Sequence, residues 1–96
     1  MDFLKDLGIS KQTIEEMESN FYPSLLFDFK CNEEQVIAII VYLQSIGITV
    51  IEDLLCTQID LFLHTKEEVE ALFQNYQIPL LVSQINQDSV NMPFFA

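Results

Sequence analysis

Four helix-start signals lie between residues 10 and 68, and they confine this chain to short helices packed on one another. Thr49 precedes Glu52 at the spacing of a capping box, and Thr65 precedes Glu68 in the same way. In such a box the hydroxyl accepts from one unpaired backbone amide and the glutamate returns to accept from another. Asn32 with Gln35 is a looser version, and Ser10 is an N-cap candidate ahead of a periodic run.

Apolar spacing points the same way. Ile14, Met17 and Phe21 recur at helical intervals, with Glu15, Glu16 and Glu18 between them. Val69, Leu72, Phe73 and Tyr76 form a stripe that leaves Glu67, Glu68 and Glu70 for water. Val36 to Ile46 is apolar on nearly every side, which predicts a helix buried at the centre of a bundle. Its β-branched residues would also suit a strand, but Asn32 before it and Gly47 after it favour a helix.

Gly8 is expected to end a short first helix, and Pro23 to interrupt the chain. Thr57 to Leu63 reads as a helical turn or two. Pro79 is expected to end the helix that starts at Thr65, and Leu80 to Ile85 to form a last short helix. The fold class is therefore all-α, a small bundle of five to six short helices with at least half the residues helical. A single domain over residues 1–86 and a C-terminal tail over 87–96 are expected.

The bundle contains an internal repeat. Phe3-Leu4-Lys5-Asp6-Leu7-Gly8-Ile9-Ser10 matches Tyr42-Leu43-Gln44-Ser45-Ile46-Gly47-Ile48-Thr49. Thr13 to Met17 then parallels Val50 to Leu54, Pro23 to Leu26 parallels Asp60 to Leu63, and Val36 to Ile40 parallels Val69 to Phe73. About two degenerate units of stacked helices follow from this period. Leu7-Gly8-Ile9-Ser10, Pro23-Ser24-Leu25-Leu26 and Ile46-Gly47-Ile48 together resemble the repeat of the mitochondrial transcription termination factor family. The resemblance covers roughly residues 3–78. It implies a helical superhelix and a link to nucleic acid. The second unit departs from the pattern, with Asp60 where the proline belongs.

Charge weighs against direct contact with nucleic acid. Fifteen acids face four lysines, the chain has no arginine, and the formal net charge is −11. Such a surface repels phosphate backbones and anionic lipid, and attracts basic proteins. The longest apolar run, Val36 to Leu43, is far short of the about 20 residues of a membrane span. No signal peptide is recognisable at the acidic start of the sequence, so a soluble, cytoplasmic protein is expected. Cys31 and Cys56 are then expected to be buried thiols in a reducing compartment.

Candidate chemistry is sparse. His64 has no local nucleophile, and two cysteines with one histidine make a poor zinc set. Glu15-Glu16, Glu33-Glu34, Glu52-Asp53 and Glu67-Glu68 sit in or near first helical turns, where they favour the helix dipole. Gly8 and Gly47 stand alone, so no phosphate cradle is recognisable. No catalytic, metal or cofactor role is assigned, and the chain is expected not to be an enzyme. The expectation is a non-catalytic protein-interaction or regulatory module with an acidic helical surface. Its alternative is a nucleic-acid-linked protein, either a distant relative of the terminator repeats or an acidic mimic. Candidate partner-binding residues are Glu67, Glu68 and Glu70 on one helix and Met92, Phe94 and Phe95 in the tail, where the other reading is that the tail's apolar residues pack on the domain's own core. The expected partner is a protein, with a basic one favoured by charge, or a second copy of the chain.

Overall fold

A computed structural model of the chain describes residues 1–93. Among them are seven α-helices, two 3₁₀ turns and no strand. The order is α1 (Asp2–Asp6), α2 (Lys11–Asn20), α3 (Pro23–Cys31), α4 (Glu33–Ser45), α5 (Ile51–Thr57), a first 3₁₀ turn (Ile59–Leu63), α6 (Lys66–Phe73), α7 (Ile78–Gln87) and a second 3₁₀ turn (Ser89–Asn91). The fold class is all-α as the periodicity indicates, with more helices than the five to six expected. The extra elements arise where Phe21 and Gln74, neither glycine nor proline, cap the ends of α2 and α6.

Two of the expected starts form as drawn. The Thr13 N–H donates to Ser10 Oγ at 3.2 Å, capping α2. The Glu68 N–H donates to Thr65 Oγ1 at 3.2 Å, and the Thr65 N–H donates to Glu68 Oε1 at 3.0 Å, which completes the box on α6. At the other two the side-chain caps do not form. Asn32 stands at the N-cap of α4 as expected but makes no cap bond, and α5 starts one residue late, after Val50. These side chains are drawn off by long-range partners. Glu52 Oε1 accepts from the Ser10 N–H at 2.6 Å, Asn32 Nδ2 donates to the Phe62 carbonyl, and Gln35 Oε1 accepts from the Lys66 N–H. Pro23 and Pro79 open helices instead of closing them, each in the first turn of its helix. A missing N–H costs nothing there. Helix α6 therefore ends at Phe73, and Tyr76 falls off the stripe, 48 % exposed.

The repeat is visible in the backbone. Gly8 has φ +86° and Gly47 φ +101°. At the first, Gly8 N–H reaches Lys5 O and Ile9 N–H reaches Leu4 O; at the second, Gly47 N–H reaches Gln44 O and Ile48 N–H reaches Leu43 O. Both are Schellman ends, in which a left-handed residue lets two amides turn back onto the last helical carbonyls. Matched positions are buried alike, as with Leu4 and Leu43, Ile14 and Ile51, Met17 and Leu54, and Val36 and Val69. Phe21 N–H bonds Met17 O and Gln58 N–H bonds Leu54 O, each closing a helix just before the next helical element. The two matched units run over α2–α4 and over α5 to α6.

Helix α4 is the shared centre. It contacts α1, α3, α5, α6 and the first 3₁₀ turn. Val36, Ile39, Ile40 and Leu43 are fully buried, but Val41 is 49 % exposed, so α4 is enclosed on most sides and not on all. The folded part also runs past the boundary expected at residue 86. Helix α7 continues to Gln87, and Met92 is buried in the core. Replacing Ile39 by Ala should cost about 2–5 kcal/mol, the range for large-to-small core changes. Val41→Ala should stay within about 1 kcal/mol, since its side chain is already half in water. Urea melts of the two variants test this, and equal midpoints would refute a shared core on α4.

Candidate functional site

The acidic surface is not uniform once the carboxylates are traced. Three of the four lysines sit beside an acid of their own helix: Lys5 by Asp2 at 4.0 Å, Lys11 by Glu15 at 3.9 Å and Lys66 by Glu70 at 3.1 Å. The first two pairs are solvent-exposed and the third is half-buried, so each is worth about 1 kcal/mol or less. They offset one negative charge on each of α1, α2 and α6, which remain net acidic. Of the expected α6 cluster, Glu68 is engaged in the capping box and lies 3.5 Å from His64. Its carboxyl is held below the usual range, chiefly by the Thr65 backbone N–H. Glu70 is engaged by Lys66, and its charge, after burial, helps to raise the Tyr42 hydroxyl above its ordinary value. Glu67 is exposed.

The tail residues divide. Met92 is 1 % exposed, so it is a core side chain and not a partner contact. The reason is the second 3₁₀ turn, which directs Met92 inward as the first directs Phe62. Phe94 and Phe95 lie outside the described residues.

The thiols also differ from expectation. Cys31 is exposed and Cys56 is half-buried, neither in a disulfide. Cys31 falls on the solvent side of α3 because Leu26 and Phe29 take the inner face. Cys56 lies at the seam of α2 and α5, where its Sγ donates to Glu16 Oε2 at 3.6 Å. Burial, then Glu16, then the charges of Asp53 and Glu52 push its pKa up to about 11. A thiol so placed is a poor nucleophile at neutral pH.

Two open grooves mark the surface. One of about 300 Å³ is lined by Asp28, Cys31, Asn32 and Leu63. The other, about 370 Å³, is lined by Thr57, Gln58, Ser89 and Val90, where the ends of α5 and α7 meet. Sequence reasoning missed this second groove. It is assembled by contacts with no local signature: Gln58 Nε2 donates to the Ser89 carbonyl at 2.8 Å, and Ser89 Oγ donates to Asp53 Oδ2 at 3.2 Å. Asn86 was missed likewise. It accepts from the Thr49 N–H at 2.8 Å and donates to the Gly47 carbonyl at 2.9 Å, tying α7 to the second glycine turn.

No group of three or more His, Cys, Asp or Glu side chains able to hold a metal ion occurs among the described residues, and no described helix is long and apolar enough to cross a membrane. No family model, curated protein or solved structure matches the chain.

The raised Cys56 pKa leaves it roughly 100-fold less thiolate than an ordinary cysteine. Iodoacetamide at about pH 8 should therefore modify Cys31 first, and Cys56 should lag by at least about tenfold. Mass spectrometry of a time course reads this directly, and equal rates would place Cys56 outside the seam. Glu52 is held below its ordinary value, first by the Ser10 backbone bond. Its stabilisation is therefore full above the unfolded pKa of 4.5 and is lost as pH falls through the folded value. Glu52→Gln should flatten the acid limb of the stability curve below pH 4.5 and leave its neutral limb sloped as before.

Proposed function

We propose that this chain is a non-catalytic protein-interaction or regulatory module whose acidic helical surface receives a protein partner, by preference a basic one. The carrying observation is the distribution of charge. Fifteen acids face four lysines, and three of those lysines are paired within their own helices. From Ile51 to Leu63 and from Ile78 to Pro93 there are four acids and no lysine. A field of one sign over such a region raises the encounter rate with an oppositely charged partner and repels phosphate.

A second reading has one observation in its favour. The helix–glycine–helix unit returns at the register of the resemblance to the terminator repeats, with Schellman turns at Gly8 and Gly47. On that reading the chain is a distant relative of those repeats, or an acidic mimic that occupies a nucleic-acid-binding protein. Cytoplasmic location goes with either reading.

A salt titration separates the alternatives. A partner held by the acidic surface should leave the immobilised chain as NaCl rises from about 50 mM to about 500 mM, because screening shortens the reach of surface charge. Retention of a neutral partner across that range would sink the reading. A gel shift at about micromolar protein should show no complex with duplex DNA at physiological salt, and a competable band would favour the relative of the terminator repeats.

A further inference from the structure

We propose that the groove between the ends of α5 and α7 docks a cationic segment of a protein partner, one with an apolar anchor flanked by lysine or arginine. The proposal rests on the acidic-surface reading above and names the place on that surface. Val90 lines the groove with an apolar side chain that is 64 % exposed. The polar groups of the walls are already engaged. Thr57 Oγ1 donates to the Asp53 carbonyl at 2.7 Å, the Gln58 amide donates to the Ser89 carbonyl, and Ser89 Oγ donates to Asp53. What remains facing the groove is largely the carbon of these side chains. A volume of about 370 Å³ has room for a leucine or phenylalanine side chain.

The rim carries the charge. Asp53 is bonded to the wall residue Ser89, Asp88 caps the turn through the Val90 N–H at 3.1 Å, and Asp60 is exposed just beyond Gln58. None of the four lysines lies on α5, α7 or either 3₁₀ turn. An apolar lining inside an anionic rim selects its ligand twice. The lining excludes a purely polar cation, and the rim repels phosphate and acidic peptides. The same complementarity sets this groove above the one at Asp28 and Cys31, whose helix carries Lys30 as well as Asp28.

The test uses two synthetic peptides, Lys-Lys-Phe-Leu-Lys-Lys and Lys-Lys-Ser-Ser-Lys-Lys, titrated into the isotope-labelled full chain at about 0.1 M salt. The first should bind with Kd below about 1 mM, with amide shifts centred on Thr57, Gln58, Ser89 and Val90. The serine peptide should bind at least about tenfold more weakly, and Val90→Ser should weaken the first by about fivefold. Asp60→Asn should weaken it by about twofold and lower its salt dependence, whereas Glu67→Gln should leave it unchanged. Circular dichroism checks that each variant remains folded. Shifts confined to α6, or equal affinity for the two peptides, would overturn the groove and leave the acidic-surface reading standing. Binding of neither peptide would overturn both. A Phe94→Ala/Phe95→Ala chain whose Val90 amide shifts without peptide would assign the groove to the chain's own end. A dimer that Val90→Ser dissolves in sedimentation would assign it to a second copy. Either result refutes the proposal.

Discussion

The structure depends on one constraint: every helix in the chain is too short to persist alone in water, so all of them must share one buried surface. The longest, α4, has 13 residues, and α1 has five. Isolated helices of this size are marginal even for sequences rich in alanine. Helix α4 resolves the problem because its apolar residues are spread widely round its axis. It meets α1, α3, α5, α6 and the first 3₁₀ turn. The flanking helices need only a narrow apolar stripe each, so their outer faces are free to be acidic. Apolar content concentrated at the centre and carboxylates spread outside are two aspects of one arrangement.

Turn geometry then decides how the short helices are placed. Gly8 and Gly47 take positive φ, which a residue with a Cβ rarely adopts, and each folds the chain back by the same pair of bonds. The three breaks at Phe21, Gln58 and Asp88 use no glycine at all. They end helices in extended or near-extended backbone and start the next element within two residues. Long-range hydrogen bonds hold both kinds of joint. Beside the glycine turns Glu52 closes on Ser10 and Asn86 on Thr49 and Gly47, and between two of the breaks Gln58 closes on Ser89. A side chain that serves a joint is lost to capping, which is why the box expected at Thr49 and Glu52 does not form.

The amino-acid sequence makes legible whatever depends on neighbours three or four residues apart. The Ser10 cap, the Thr65–Glu68 box, both glycine ends and the buried stripe of α4 all have that range, and all are present. Pro23 and Pro79 were harder, because proline is as compatible with a helix's first turn as with its end. The burial of Ser89 and Met92 is hidden for another reason, since it depends on the second 3₁₀ turn packing on the core and not on any local period. The candidate site was the least legible part. Glu67 is exposed as expected, but the partners of Glu68 and Glu70, the burial of Met92 and the groove at Val90 depend on which helices meet.

Charge and shape combine in a way that bears on association. A surface of net −11 repels another copy of itself, and the repulsion is strongest where cations are absent, at the ends of α5 and α7. That same region holds Val90, whose apolar surface would otherwise favour self-association. Carboxylates around an exposed apolar residue oppose that tendency without covering it, as like charges do at an interface between identical faces. On the proposed reading, the groove stays open in the free protein for a surface of opposite sign. Carboxylates that serve joints, such as Glu52, add to this field while their hydrogen bonds hold the helices in place, so fold and surface potential rest partly on the same side chains.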